Sequence, residues 1–111
     1  MRALPLLLLA ALLLLPVSAA RAKGHAPDAA QIEAARSPEQ HEALADQFQE
    51  RATEAKQLAE DSRAMSKAYA KTDATDRMVK AAHCQQLATE YEELAREYQA
   101  LAEIEQASAK R

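Results

Sequence analysis

Helix-breaking residues are missing from most of the sequence. It has one glycine, Gly24, and four prolines, and all of them precede residue 39. From Glu39 to Arg111 the chain is dominated by Ala, Glu, Gln, Lys, Arg and Leu, which have high helix propensity. We therefore expect an all-α protein.

Residue patterns that support catalysis are also missing. A single glycine cannot build a Gly-rich phosphate loop, the Cys and His spacing fits no zinc site, and no Ser, His and acid set is evident. We therefore expect no enzyme activity. The acidic balance, 17 Asp and Glu against 14 Lys and Arg, argues against nucleic acid or an anionic membrane surface as partner.

Large apolar side chains are scarce beyond residue 22. They are Ile32, Leu44, Phe48, Leu58, Met65, Tyr69, Met78, Val79, Leu87, Tyr91, Leu94, Tyr98, Leu101 and Ile104. This set is enough for a stripe along a helix and too small for a globular core. A domain of roughly 90 residues with so little to bury is marginally stable alone. We therefore expect a homodimer or binding to partner helices.

The N-terminus has the layout of a secretory signal. Arg2 supplies a positive start, residues 4–15 are apolar apart from one proline, and Pro16 precedes a run of small residues. The apolar run is shorter than the roughly 20 residues that span a bilayer. We predict a signal peptide over residues 1–20, cleaved after Ala20, with no stable membrane anchor afterwards; a retained anchor is the alternative. The mature chain would be periplasmic or secreted.

The clearest helix start is at Ser37. Its hydroxyl can cap the helix, a proline follows at the first helical position, and Gln40 can return a bond to the cap residue. We predict a helix over about residues 38–70. The preceding residues 21–36 are interpreted as a flexible lead with a short helical stretch over 28–36.

A polar segment at residues 71–76 is rich in residues that cap helices. We predict a second helix over about 76–107 and a tail over 108–111. Because the connection is short, the helices should fold back as an antiparallel hairpin. One unbroken helix through 71–76 is the alternative.

A stripe with steps of three and four follows both helices and predicts a coiled-coil-like contact, with a four-helix bundle if two chains dimerise. Its members in the first helix are His41, Leu44, Phe48, Arg51, Ala55, Leu58, Ser62, Met65 and Tyr69. In the second helix they are Cys84, Leu87, Tyr91, Leu94, Tyr98 and Leu101. Arg51 and Ser62 depart from the apolar pattern, and Ala52 can stand in for Arg51.

Cys84 is the only cysteine, so it cannot form an internal disulfide. One interpretation is a small buried residue on the helix contact. A second is an intermolecular disulfide that joins two chains, which an oxidising compartment permits. A third is a metal or redox role.

The metal hypothesis combines Cys84 with Met65 and His83, because such soft ligands hold copper(I). With a turn centred near residue 73, Ser62 would lie opposite Cys84, and Met65 would lie near Ala81 and within one turn of Cys84. His83 is adjacent to Cys84 and points about 100° away from it. His41 lies level with residue 105, at the far end of the hairpin.

Three stretches resemble a group of small exported bacterial proteins of unknown function. They are His41-Glu-Ala-Leu-Ala45, Met65-Ser-Lys-Ala-Tyr69 and Met78-Val-Lys-Ala-Ala-His-Cys-Gln-Gln-Leu87. In that group a His-x-x-Leu-Ala start and a Met-x-x-x-x-His-Cys-x-x-Leu segment lie on two Ala- and Glu-rich helices. The resemblance covers roughly residues 37–103 and implies export and a helical hairpin. It implies no catalytic residue.

From these observations we expect a structural or protein-interaction role in the cell envelope. A copper-binding protein is the second hypothesis. A periplasmic chaperone-like protein or stress adaptor, which offers its apolar stripe to partner helices, is the third.

Overall fold

The computed structural model of this chain describes residues 26–111. It contains three helices, α1 (Ala29–Ala34), α2 (Pro38–Ala70) and α3 (Arg77–Ala109), and this part of the chain contains no strand. The prediction of an all-α chain with two long packed helices is confirmed for these residues. The predicted signal peptide, residues 1–20, and the first part of the lead lie outside them.

The start of α2 is a capping box, as its sequence predicts. The Ser37 hydroxyl accepts from the backbone N–H of Gln40 at 3.2 Å, and the Gln40 side chain accepts from the Ser37 N–H at 3.0 Å. A proline occupies the first turn, where no intrahelical donor is needed. The helix runs from Pro38 to Ala70, and the predicted span was about 38–70.

The two long helices are separated at residues 71–76, so the alternative of one unbroken helix is wrong. Thr72 closes the end of α2 by donating its hydroxyl to the Tyr69 carbonyl at 2.7 Å. Asp76 occupies the N-cap position of α3 but its side chain makes no cap bond. The second helix starts one residue later than predicted and continues two residues further, so the first half of the predicted tail is helical.

The lead contains the short helix α1. Asp28 and Gln31 form a second capping box, with Asp28 accepting from the Gln31 N–H at 2.8 Å. This helix covers six residues, whereas a helical stretch over 28–36 was predicted. It ends early because the backbone becomes extended at Ala35.

The two long helices pack antiparallel, as three contacts along their length demonstrate. Ser66 donates to the Ala81 carbonyl at 2.9 Å near the turn, the rings of Phe48 and Tyr98 stack at 6.2 Å, and His41 hydrogen-bonds Glu105 at 2.6 Å near the open end. Residues whose numbers add up to 146 or 147 therefore lie opposite each other. We term this arrangement the helix pair.

Small side chains fill the middle of the helix pair. They recur at every seventh position and are buried: Ala45, Ala52, Ala59 and Ser66 on α2, and Ala81, Ala88, Ala95 and Ala102 on α3. The larger residues of the stripe were predicted there, and this was wrong for six of them, which are 38–44% exposed: Leu58, Met65, Tyr69, Leu87, Leu94 and Leu101. Small residues let helix axes approach closely, so the large neighbours lie beside the contact.

Candidate interaction surface

The large apolar residues of the helix pair share one side. Each residue of a helix is rotated by about 100° from the one before it. The residue just before a central alanine and the residue three positions after that alanine therefore point to the same side of the helix. The Phe48–Tyr98 and His41–Glu105 contacts show that these positions face the same side on both helices. We term this side the apolar face: Leu44, Phe48, Leu58, Met65 and Tyr69 of α2, and Leu87, Tyr91, Leu94, Tyr98 and Leu101 of α3.

The opposite side of the helix pair is polar. Residues four positions after each central small residue occupy it, and an ion pair between Arg63 and Glu92 bridges the two helices there. Lys56 and Gln99 occupy equivalent positions. The helix pair as a whole is therefore amphipathic, with one apolar and one polar surface.

The lead covers one end of the apolar face. Ala35 is buried in a cluster with Leu44, Phe48 and Ala102, and Tyr98 packs against its edge. Pro27, earlier in the lead, is buried as well. At this end the chain itself covers Leu44 and Phe48 of α2, whereas Leu101 of α3 stays exposed.

One hydrogen bond from Arg36 ties the lead to α2, and a second lies within the lead. The backbone N–H of Arg36 donates to the Gln40 side chain at 2.7 Å, and the Arg36 guanidinium donates to the Ala35 carbonyl at 2.8 Å. The side chain that caps α2 therefore also positions the lead. Sequence reasoning predicted the cap at this point and missed the packing of Ala35.

The rest of the apolar face has no cover among residues 26–111. Five aliphatic side chains are uncovered there and are 40–44% exposed: Leu58, Met65, Leu87, Leu94 and Leu101. We term these five the row. In the observed register Leu101 is level with residue 45 or 46, so the row spans about 20 residues, or roughly 30 Å. Single exposed apolar residues are ordinary, whereas a contiguous row of this length is typical of an interaction surface.

Arg51 interrupts the row. It occupies the position between Leu44 and Leu58 and is 5% exposed. One nitrogen, Nη2, donates to Glu54 at 3.0 Å and lies 3.5 Å from Glu50, whereas Nε and Nη1 have no hydrogen-bond partner in residues 26–111. Unpaired buried donors cost about 1–3 kcal/mol. In the sequence, Arg51 is recognisable only as a departure from the apolar pattern.

The outer edges of the apolar face carry acidic residues. The position two after each central small residue lies next outward on the same side. Gln47, Ala68, His83 and Ile104 occupy four of these eight positions, and acidic residues occupy the other four: Glu54 and Asp61 on α2, and Glu90 and Glu97 on α3. We term these four the acidic rims. Glu54 is paired with Arg51, and the other three form no ion pair within the described part of the chain.

The predicted metal ligands lie near the turn end of the same region. Cys84 is a free, buried thiol, whereas Met65 and His83 are exposed. Since Ser66 bonds the Ala81 carbonyl, Ser66 and not Met65 lies opposite Ala81. Met65 is next to Ser66 in sequence, so the predicted placement of Met65 near Ala81 agrees with the observed register.

No group of three or more Cys, His, Asp or Glu within residues 26–111 is arranged to hold a metal ion. Copper binding by Cys84, Met65 and His83 remains a prediction, and so does the intermolecular disulfide. The burial of Cys84 means that the helix pair would have to open locally before two such thiols could meet.

Comparisons of this chain with protein-family models, with curated proteins and with solved structures gave no match. The resemblance to small exported bacterial proteins therefore stays a prediction. Within the described residues, no helix combines the length and the apolar character needed to cross a membrane.

Proposed function

We propose that this protein is exported to the cell envelope and acts as a structural or protein-interaction module that binds helices on its apolar face. The observation that carries the proposal is the row of five half-exposed aliphatic side chains beside an alanine-filled contact. The row follows the helix axes, so its natural complement is another helix or a second helix pair.

The energetics favour a partner that follows the whole row. Complete burial of a Leu or Met side chain contributes about 1.5–3 kcal/mol, so covering the exposed two-fifths of one contributes roughly 1 kcal/mol. Association costs at least about 4 kcal/mol. A contact with one or two of these residues is therefore too weak, and an extended helical partner is needed.

Two occupants fit this proposal at first sight. A second copy of the chain would give the four-helix bundle expected from the sequence. A helix from another protein would give an adaptor or a chaperone-like complex. Both use the same face, and the charges around it distinguish them.

The proposed function is tested by replacing leucines of the row. The protein is expressed from the full-length sequence, purified in the form that the cell yields, and studied by sedimentation over a range of concentrations and by crosslinking in envelope extracts. The variant Leu87→Gln/Leu94→Gln should lose the complexes of the wild type and keep its helical circular dichroism.

The matched control is Met78→Gln/Val79→Gln. These two side chains are more exposed than the leucines, at 62% and 60%, and lie outside the apolar face. The control variant should retain every complex. Equal loss in both variants, or no complex in the wild type, would count against the proposal.

A further inference from the structure

We infer that the occupant of the apolar face is a basic amphipathic helix of another protein, about 20 residues long, and not a second copy of this chain. The inference depends on the proposed function and names the class of its partner. Charge complementarity around the row carries it.

The row is bordered by negative charge on both sides. Asp61 lies beside the row on α2, and Glu90 and Glu97 lie beside it on α3; all three are exposed. Neither Asp61, bonded to Gln57, nor Glu90, bonded to Gln86, meets a cation in the described residues. A partner with Lys or Arg flanking its apolar stripe would place cations against these carboxylates.

Most cations of residues 26–111 lie away from the row. Lys56, Arg63 and Arg96 belong to the polar side of the helix pair. Three cations lie on the apolar side. Arg51 pairs with Glu54 and Lys80 pairs with Asp76, whereas Arg77, seven residues before Cys84, lies at the turn end beyond the row. Alongside the row, residues 26–111 therefore offer no unpaired cation to a second copy.

Stacking two copies by this face would bring like charges together. If α2 lies over α2 of the second copy, Glu54 and Asp61 meet their equivalents; if it lies over α3, they meet Glu90 and Glu97. Like charges placed opposite each other at an interface disfavour that pairing. The acidic rims thus select against self-association and for a cationic helix.

The length of the partner follows from the row. Its span of roughly 30 Å corresponds to a helix of about 20 residues at 1.5 Å per residue. Such a helix would lie between α2 and α3 and present its apolar stripe to Leu58, Met65, Leu87, Leu94 and Leu101.

The test uses three synthetic helical peptides of 21 residues with one shared leucine stripe. The residues that flank the stripe are Lys in the first peptide, Gln in the second and Glu in the third. Binding to the protein, purified in the form that the cell yields from the full-length sequence, is measured by calorimetry at low and at high salt. We expect the Lys peptide to bind at least tenfold more tightly than the Glu peptide, with a difference that shrinks in high salt.

Two protein variants test whether the acidic rims cause the preference for the Lys peptide. Asp61→Asn/Glu90→Gln/Glu97→Gln removes three rim charges and should weaken the Lys peptide about tenfold while leaving the Gln peptide unchanged. The control, Asp46→Asn/Glu60→Gln/Glu103→Gln, removes three exposed charges from the polar side. Its affinity for the Lys peptide should stay within about twofold of the wild type.

Each contrary result has a distinct meaning. Equal binding of the three peptides would overturn the charge inference and leave the proposed function intact. A stable dimer that Leu87→Gln/Leu94→Gln dissociates, and that no peptide displaces, would show that a second copy occupies the face and would overturn the partner class. A monomer that binds no peptide would overturn both proposals.

Discussion

The two ends of the apolar face carry equivalent residues in different surroundings. Leu44 and Leu58 occupy the same position in the seven-residue repeat, yet Leu44 is 3% exposed and Leu58 is 43% exposed. The helix pair places them alike, and Leu44 differs in that Ala35 packs over it. For these two leucines, burial is therefore decided by what covers them.

The covered end also indicates what kind of segment could bury the uncovered part of the apolar face. At the covered end the short extended segment at Ala35 packs over Leu44 and Phe48, and α1 itself contributes no buried residue. The uncovered row is longer, at roughly 30 Å, and it is edged by acidic residues. A single strap of the same kind would not cover it, which again favours a helix.

The largest expected effect is at Phe48. Phe48→Ala removes the largest side chain of the covered cluster and should lower the free energy of unfolding by about 3–5 kcal/mol. Leu94→Ala, in the uncovered row, should cost roughly 1 kcal/mol, because much of that side chain is already in water. Urea denaturation followed by circular dichroism measures both. A cost at Leu94 close to that at Phe48 would mean that the row is covered in solution.

Much of this fold follows from local chemistry that a sequence displays. The capping box at Ser37, the break at 71–76 and the antiparallel register were all predictable, because each depends on a few residues of strong preference. The level of His41 with residue 105, predicted from the turn position, matches the observed hydrogen bond to Glu105.

The apolar spacing alone could not predict which residues of each helix point into the contact. Steps of three and four fit the stripe through Leu44 and Phe48 as well as the stripe through Ala45 and Phe48, and the larger residues dominate such a pattern. The missed signal is the strict recurrence of small residues at every seventh position. The cover by Ala35 could not be predicted either, since it depends on tertiary packing of a residue with no pattern of its own.

The second expected effect tests the alanine contact directly. Ala52 is fully buried at the middle of the helix pair, so Ala52→Leu should push the helices apart and lower the free energy of unfolding by about 2 kcal/mol. Ala64→Leu, on the exposed outer side of α2, should change it by less than about 0.5 kcal/mol. Thermal unfolding of the two variants measures the difference. Tolerance of leucine at residue 52 would contradict close packing of the helices.

The third prediction concerns the cover over Leu44. Its loss should leave this end of the apolar face as exposed as the uncovered row. Ala35→Asp places a carboxylate against Leu44 and Phe48, so the lead should detach at a cost of about 1.5 kcal/mol. The lead should then become sensitive to proteolysis. Ala34→Asp is the control, because Ala34 is exposed. Equal protection of the lead in both variants would show that Ala35 does not hold it.

The smallest expected effect concerns the starts of the two long helices. Ser37 caps α2 beside the covered end, whereas Asp76 makes no cap bond at the start of α3. Ser37→Ala should therefore cost about 1 kcal/mol of unfolding free energy. Asp76→Ala removes only an exposed pair with Lys80 and should cost roughly 0.3–0.5 kcal/mol.

Amide exchange distinguishes the two sites more sharply than global unfolding. In Ser37→Ala, faster exchange should appear at the Gln40 amide, which loses its acceptor, and in the lead that Gln40 positions through its bonds to residues 36 and 37. In Asp76→Ala the first turn of α3 alone should respond. A lead that stays protected without the Ser37 hydroxyl would mean that Ala35 packing alone maintains the covered end.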